Sequence, residues 1–410
     1  MMSCLKNLIG YGVTGLLVVL LSACGGGSGG APAAVPATLL AANEHRVYVD
    51  AGPAGTGYNA NRLYTDVTIC QVGNPGNCQI IPHILVDTGS TGLRVLSSLL
   101  NPGLGLHKVN APGGLPLLSC VNFVDNSFAW GPVAEADIQL GSKTANRARI
   151  QLIADPGFAG LASTCSTGSD ITNASTLGAN GILGIGLFQQ DCGALCASNA
   201  VNGFYFTCAN GFCLGTQGTT LPTASQIKNP ITSFATDSNG VVIDLPSVGS
   251  VPAASVNGRM IFGIGTQANN QPVLSRVLTA NSSGYIRTFF EGRSLNRSFI
   301  DSGSNGLFFD SAVLPVCPGS GASGFYCPAG FLTFSATLTG TNFVSVSIPF
   351  NVDNALNSFV GGNPVLPNLS GTLGDAGSFD WGLPFFLGRK VYFGIEGLAS
   401  VAGIGPFYSF

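Results

Sequence analysis

With 410 residues, the chain is long enough to bury a substantial core, in one large unit or in two domains. Only 9% of its residues are charged, the formal net charge is −3 and no basic run occurs, so we expect no nucleic-acid partner. The 58 glycines and the scarcity of helical periodicity favour an all-β fold with long loops and few short helices.

The first element in chain order is an export signal. Lys6 precedes an apolar run over residues 8–21, which is too short and too early for a membrane-spanning helix. The segment LSAC at residues 21–24 follows and resembles the lipobox of bacterial lipoproteins. This resemblance implies cleavage before Cys24 and acylation of its thiol and amino group, so the lipid bilayer would be a partner. An ordinary secretory signal with a coincidental cysteine is the alternative.

Residues 1–23 would therefore be a lipoprotein signal peptide, and residues 24–43 a lipidated cysteine with a flexible tether rich in Gly, Pro and Ala. Gly25, rather than an aspartate, follows the acylated cysteine. By resemblance to Gram-negative lipoproteins, this favours a lipid-anchored protein of the bacterial cell envelope at the outer membrane.

Ten of the 12 cysteines remain once Cys4 leaves with the signal and Cys24 is acylated. An even number of cysteines in an exported chain indicates disulfides. We expect two local bridges around turn-like segments and a third by elimination: Cys70–Cys78, Cys317–Cys327 and Cys120–Cys165. The last four cysteines admit either two nested disulfides or a four-cysteine zinc site: Cys192, Cys196, Cys208 and Cys213.

One nine-residue motif occurs twice. The segment DTGSTGLRV at residues 87–95 returns as DSGSNGLFF at residues 301–309, and five of the nine positions are identical. Apolar pairs precede both copies, and the copies are 301 − 87 = 214 residues apart, about half the chain. A repeated motif with matching flanks predicts a repeated fold, with one aspartate at the end of a strand in each half.

Asp87 and Asp301 are the candidate catalytic residues. Two carboxyl groups at hydrogen-bond distance cannot both ionise, so they share a proton. One then serves as base toward a water molecule while the other donates a proton to a substrate carbonyl. This chemistry needs no metal and no other cofactor, and we predict none. Three pairs of flanking residues would support this chemistry. Thr88 and Ser302 can each hydrogen-bond to the opposite loop, and Gly89 and Gly303 let the backbone approach the carboxylates. Ser90 and Ser304 can each donate a hydrogen bond to a carboxylate oxygen.

The two half-sites resemble those of pepsin-like aspartic peptidases. NGILGIGLF at residues 180–188 resembles the apolar-Gly segment behind the first half-site of that family, and residues 380–396 resemble its counterpart in the second lobe. NGRMIFGIG at residues 257–265 resembles an early strand of the second lobe. The resemblance implies a bilobal double β-barrel with a cleft between the lobes, here residues 44–228 and 229–410.

The resemblance also implies a β-hairpin flap over the cleft, which the segment from 123 to 141 matches best. Phe123 takes the place of the flap tyrosine, with Asp125 and Ser127 in register. Arg94 takes the place of the tryptophan whose ring would bond that tyrosine. Trp130, in the same hairpin, is the candidate to cover the substrate instead.

The expected protein is thus an envelope-anchored, monomeric aspartic endopeptidase that acts on polypeptides. Bacterial envelope lipoproteins with the same bilobal pattern are the proteins that the whole chain resembles. The alternative is a non-catalytic surface module, in which the same cleft binds peptides or has a structural role without chemistry.

Overall fold

The structure, a computed structural model, describes residues 40–208, 213 and 218–410. Strands account for 41% of the structure and helices for 12%, which confirms the all-β class with few short helices. The predicted signal peptide, Cys24 and most of the tether lie outside the described residues. Within the described part, no helix is both long and apolar enough to cross a membrane.

The strands of the first half alternate with turns rich in Gly and Asn. They are β1 (Glu44–Val49), β2 (Tyr64–Cys70), β3 (Cys78–Asp87), β4 (Thr91–Leu96), β5 (His107–Lys108), β6 (Leu117–Asn122), β7 (Ser127–Leu140), β8 (Lys143–Ile153), β9 (Ser169–Asp170), β10 (Gly181–Ile185) and β11 (Tyr205–Thr207). Two short helices accompany them, α1 (Ala174–Leu177) and α2 (Ala194–Ser198).

The second half continues with strands of similar length. They are β12 (Gly240–Asp244), β13 (Val256–Phe262), β14 (Leu278–Thr279), β15 (Ile286–Phe290), β16 (Arg293–Ile300), β17 (Leu307–Phe309), β18 (Leu332–Thr339), β19 (Ser345–Val352), β20 (Ser370–Gly371), β21 (Phe379–Trp381), β22 (Lys390–Gly394), β23 (Ala399–Ser400), β24 (Gly403–Ile404) and β25 (Phe407–Ser409). One α-helix, α3 (Ala355–Val360), lies between β19 and β20.

Single-turn 3₁₀ helices fill several connections, and four of them place proline in the first turn, where the missing N–H costs nothing. They are Ser97–Leu99, Pro102–Leu104, Pro156–Phe158, Thr223–Ser225, Pro230–Ser233, Ala268–Asn270, Leu274–Arg276, Ser320–Ala322 and Leu383–Phe386.

A closed barrel carries the first half-site. Its strand order is β2-β3-β10-β4-β8-β7, and β7 closes the ring by pairing with β2 as well as with β8. Branched aliphatic side chains such as Val86, Leu93 and Leu183 fill it and are fully buried. β3 ends at Asp87, so the packed barrel fixes the position from which this carboxylate projects.

Two further arrangements complete the fold. From β2 the first sheet continues through β1-β13-β12-β22-β25-β14, so strands from both halves share it. A second sheet, β19-β18-β15-β16-β21-β17-β20, carries the second half-site. Its core is aromatic, because Trp381 stacks on Phe379 with ring centroids 4.1 Å apart and Phe379 stacks on Phe309 at 4.5 Å.

The repeated motif occupies equivalent places in the two halves. β10 runs parallel to β3 and antiparallel to β4, and β21 runs parallel to β16 and antiparallel to β17. In this register Ile182 pairs with Leu85 as Asp380 pairs with Phe299. Each aspartate of the repeat therefore lies at the end of a strand whose neighbours are matched in the other half.

Five disulfides are present. Three were predicted, Cys70–Cys78, Cys120–Cys165 and Cys317–Cys327. The remaining four cysteines pair with their nearest neighbours in sequence rather than as nested bridges, as Cys192–Cys196 and Cys208–Cys213. The zinc alternative for these cysteines is wrong, because all four sulfurs are used in disulfides.

The bridges should differ in what they contribute to stability. Cys120–Cys165 closes 45 residues and Cys70–Cys78 closes 8. Loop-closure entropy then gives about 4 kcal/mol for the first and about 2.5 kcal/mol for the second. We expect the Cys120→Ser/Cys165→Ser variant to lose more free energy of unfolding in urea than the Cys70→Ser/Cys78→Ser variant. Equal losses in both variants would contradict this order.

Candidate active site

The two halves bring the carboxyl groups of Asp87 and Asp301 within hydrogen-bond reach of each other. Glycine makes this approach possible. A Cβ on Gly89 would lie 2.8 Å from Cγ of Asp301, and a Cβ on Gly303 would lie 2.7 Å from Oδ1 of Asp87. Because each glycine packs against the carboxylate of the opposite half, any side chain at either position would separate the pair.

Matched donors hold the two carboxylates. The N–H of Gly89 donates to Oδ1 of Asp87 at 2.8 Å, and the Ser90 hydroxyl donates to Oδ2. In the second half the N–H of Gly303 and the hydroxyl of Ser304 donate to Oδ1 and Oδ2 of Asp301, at 2.8 and 3.0 Å. These contacts are the roles that the sequence predicted for the four residues.

Burial raises the pKa of Asp301 well above its usual range, and the negative charge of Asp87 adds to the effect. Asp87 is itself only 6% exposed. Two buried carboxyl groups in contact keep one proton between them, so the pair has one member that can accept a proton and one that can donate.

Thr88 and Ser302 fasten the two loops to each other. The N–H of Thr88 donates to Oγ of Ser302 at 3.2 Å, and the N–H of Ser302 donates to Oγ1 of Thr88 at 2.9 Å. The Ser302 hydroxyl also donates to the carbonyl of Val86 at 2.7 Å. Both residues are buried, so this reciprocal pair replaces water as the partner of two backbone groups.

Removing either hydroxyl should destabilise the protein. In the variants Thr88→Ala and Ser302→Ala, one buried N–H of the opposite loop loses its acceptor, which costs about 1–3 kcal/mol. The expected result is a lower free energy of unfolding in urea for both variants. Thr88→Ser retains the hydroxyl and serves as the control. A Thr88→Ala variant as stable as Thr88→Ser would contradict the account.

A third carboxyl group, which the sequence did not predict, lies beside the pair. Asp380 is 2% exposed, the Ser304 hydroxyl lies within hydrogen-bond reach of it, and its Oδ1 has no hydrogen-bond partner among the described residues. Burial raises the pKa of Asp380 to about 8, the Ser304 hydrogen bond opposes this rise, and the Asp87 charge adds to it. Ser304 thus links Asp380 to Asp301.

The dyad opens into a cavity of about 510 Å³. Both halves contribute aromatic and aliphatic side chains to its walls: Leu85, Phe123, Ile171, Leu177, Ile182, Tyr285, Phe299, Phe308 and Tyr408. Polar side chains from both halves line the same cavity, so it offers apolar surface together with hydrogen-bonding groups to a bound chain.

The start of the segment predicted as a flap forms the tip of the β6–β7 hairpin, and this tip lines the same cavity. The N–H of Phe123 donates to the carbonyl of Ser127. Asp125 accepts from the N–H and the hydroxyl of Ser127 at 2.9 and 2.6 Å, which closes the turn. Phe123, Asp125 and Ser127 therefore border the space above the dyad, as predicted.

Trp130 is not among the residues that line the cavity, which corrects the prediction that it covers the substrate. Its side chain is 4% exposed and packs against Phe206, with ring centroids 5.4 Å apart. Its Nε1 donates to the carbonyl of Phe158 at 2.9 Å. The strand alternates its faces, and Trp130 lies on the face that packs into the core rather than on the one that faces the cavity.

Arg94 also lies away from the cavity. It is 1% exposed, its Nη2 is 3.3 Å from Oδ2 of Asp191, and its Nη1 donates to the carbonyl of Thr91. Tyr205 donates to the other oxygen of Asp191. Burial raises the pKa of Asp191 to about 6, and the Arg94 charge opposes that rise. Arg94 therefore anchors β4 to the segment before α2, and among the described residues its hydrogen bonds go to Thr91 and Asp191 rather than to the β6–β7 hairpin.

Within residues 40–208, 213 and 218–410, no group of three or more His, Cys, Asp or Glu side chains is placed to hold a metal ion. What the described site offers is a carboxyl pair, hydroxyl donors and backbone N–H groups around an apolar cavity. Such a set can activate a water molecule and protonate a carbonyl oxygen.

Comparison with known proteins gives a family but no activity. A search of curated proteins found no significant match. A family model described as "Protein of unknown function (DUF3443)" matches residues 40–410 and so covers nearly all of the chain. The protein belongs to this family.

Proposed function

We propose that this protein is an aspartic endopeptidase of pepsin-like architecture, anchored to the bacterial cell envelope by its N-terminus. The observation that carries the proposal is the pair Asp87 and Asp301, within hydrogen-bond reach of each other and held by matched donors at the base of a shared cavity. A structural ion pair would not need this symmetry, or an opening onto a groove of this size.

The proposed reaction uses one water molecule. The ionised member of the pair takes a proton from the water as its oxygen attacks the peptide carbonyl, while the protonated member donates to the carbonyl oxygen. The resulting gem-diol breaks down when the carboxyl that has gained the water proton passes it to the leaving nitrogen. As the C–N bond breaks, a hydroxyl of the gem-diol returns its proton to the other carboxylate and becomes the carbonyl oxygen of the new carboxyl group. No covalent bond to the enzyme forms, and the pair ends the cycle with one proton, as it began.

The fold supports the pepsin-like interpretation through its internal equivalence. The strand arrangement around Asp87 recurs around Asp301, and the hairpin of β6 and β7 reaches over the cavity. We accordingly propose residues 44–228 and 229–410 as two lobes, with the cavity between them and β1 contributing to the sheet of the second half.

For the location, we propose export, acylation at Cys24 and attachment to the outer membrane. Five disulfides agree with an oxidising compartment, since such bonds rarely persist in the cytosol. The proposed substrate is a polypeptide, and we propose a monomer, because each half contributes one aspartate and a single chain completes the site.

Phe123 supports a second candidate function, peptide binding without hydrolysis. The resembled family orders its flap through a tyrosine hydroxyl that Phe123 lacks, and Arg94 at the partner position is engaged elsewhere. A cavity of the same shape could then hold a peptide without aligning water for attack.

The two functions are separated by incubating the purified protein with a diverse peptide mixture between about pH 3 and 7 and identifying products by mass spectrometry. The endopeptidase proposal predicts internal cleavage that disappears in Asp87→Asn and Asp301→Asn. Peptides that are retained but never cleaved, equally by the wild type and both variants, would instead establish the binding module.

A further inference from the structure

The cavity has one basic side chain in its described lining, Arg62. This residue precedes β2 and lines the cavity together with Thr176 and Leu177. Asp87 and Asp301 line the same cavity. Because the other described lining residues are carboxylates or neutral side chains, this cation favours a bound chain that carries negative charge near it.

Arg62 lacks a protein partner within the described residues. No ion pair or hydrogen bond joins its guanidinium to a described oxygen, although it is half-buried. The other buried or half-buried arginines behave differently, since each donates to a protein oxygen: Arg46, Arg94, Arg149, Arg293 and Arg389. The five N–H donors of Arg62 are therefore open to a ligand.

The backbone on both sides of Arg62 is rigid. The side chain of Asn61 donates to the carbonyls of Asn305 and Leu366, both at 2.8 Å, and accepts from the N–H of Leu366 at 2.7 Å. The next residue, Leu63, is fully buried. Arg62 thus projects from a segment tied to the second half-site, which reduces the entropy lost when it binds a ligand.

Gly178 leaves room for the guanidinium. A Cβ at this position would lie 2.8 Å from Nε and 3.1 Å from Cζ of Arg62. Gly178 also ends α1 in the left-handed region, with φ of 70°. The glycine that terminates the helix therefore also lets the arginine side chain pass close to the helix end.

We propose that Arg62 binds a carboxylate of the substrate chain, so that the cavity selects polypeptides with an acidic group at a fixed distance from the cleaved bond. A planar guanidinium forms two parallel hydrogen bonds with a carboxylate, and such contacts strengthen where water is partly excluded. The carboxylate comes from an Asp or Glu side chain or from the C-terminus of the chain. This inference rests on the proposed function, because it places the substrate in the same cavity.

The test uses a peptide set in which one Glu is moved along an otherwise uncharged sequence, each peptide paired with its Gln isostere. A second set compares free C-termini with C-terminal amides. Dissociation constants are measured with the full-length protein carrying Asp87→Asn, and kcat/KM with the protein that retains Asp87. Each measurement is repeated after adding Arg62→Gln, or after adding Arg287→Gln as the control, since Arg287 is exposed and outside the described cavity lining.

We expect a selectivity of about ten- to hundredfold for the acidic member of one pair, the range of a charge-assisted hydrogen bond. Arg62→Gln should bring this ratio to about one, and Arg287→Gln should preserve it. A preference in the Glu set identifies a side chain, and one in the amide set identifies the C-terminus. No preference for any acidic peptide, or a ratio that survives Arg62→Gln, would overturn the inference.

The same data separate this inference from the function on which it rests. An Arg62-dependent preference in binding, without cleavage of any peptide, would refute the endopeptidase and retain the acidic subsite. Cleavage without that preference would refute the subsite and retain the endopeptidase.

Discussion

Replacing Asp87 or Asp301 by asparagine should lower kcat for peptide cleavage by about 10⁴-fold, the upper end of what one positioned proton-transfer group contributes. Each carboxyl acts twice in the proposed cycle: one takes a proton from water and passes it to the leaving nitrogen, and the other gives a proton to the carbonyl oxygen and takes one back from the gem-diol. An amide can neither accept a proton from water nor pass one on. Loss should therefore be equally severe for both variants, although the residues lie in different halves of the chain.

Folding should not account for this loss. The asparagine side chain matches the size of the carboxylate, and its oxygen can still accept from the N–H of Gly89 or Gly303. Its NH2 group can donate to the oxygen of Ser90 or Ser304, which reverses the direction of that contact. Either substitution also leaves one carboxyl group where two lay in contact, so like charges no longer oppose each other in the buried pair. We thus expect thermal unfolding temperatures equal to or above that of the wild type. Either variant cleaving peptides at near the wild-type rate would contradict the assignment of the dyad.

The second large effect concerns Asp380 and stability. The pKa of Asp380 is about 8 in the folded protein, because burial disfavours its charge, against an ordinary value near 3.9 in an unfolded chain. Between about pH 4 and 8 the folded state therefore holds one more proton at this residue than the unfolded state. The free energy of unfolding must then fall as pH rises through this window.

The expected slope is about 1.4 kcal/mol per pH unit from this residue, on the order of 5 kcal/mol across the window. Two substitutions remove it: Asp380→Asn keeps the shape and a hydrogen bond to Ser304, and Asp380→Ile copies Ile182, the counterpart in the first half. Both should flatten the dependence between pH 4 and 8 and stabilise the protein at pH 7.

Denaturant unfolding at pH 4, 6 and 8 provides the measurement. Asp301 titrates in the same direction, so part of the slope should survive in both variants and only the share of Asp380 should disappear. A variant whose unfolding free energy changes with pH as steeply as that of the wild type would show that Asp380 is not held neutral.

The dyad was predictable from sequence because its signal is a repetition. Asp87 and Asp301 each lie within a nine-residue motif that carries its own supporting donors, so local spacing encodes most of the half-site. The all-β class was equally accessible, since turn residues and short apolar runs recur along the chain. Both the dyad and the all-β class could be predicted because residues close together in the sequence carry the signal.

The missed and mistaken residues depend on distant partners. Asp380 is linked to the dyad through Ser304, 76 residues earlier, and its only local sign is a charge in an apolar segment where the first half has Ile182. Arg94 finds Asp191 across 97 residues. Trp130 was misplaced because its strand has apolar residues on both faces, so the sequence does not indicate which face packs into the core.

The cysteine interpretation failed for a related reason. Spacing alone indicated that Cys192, Cys196, Cys208 and Cys213 belong together, but it could not choose between nested pairs, adjacent pairs and a metal site. The choice depends on the fold: Cys196 lies within α2, and β11, which pairs with β6, lies between that bridge and Cys208.

The central claim is that the dyad activates water directly, and cleavage of one peptide in ¹⁸O-labelled water tests it. With enzyme in excess over peptide, a single turnover is followed by mass spectrometry of the products and of the enzyme segments that contain Asp87 and Asp301. The account predicts one ¹⁸O atom in the new carboxyl group of the N-terminal product and none in either aspartate. Label in an aspartate, a covalent peptide–enzyme species, or an intact peptide across the acidic to neutral range would contradict it.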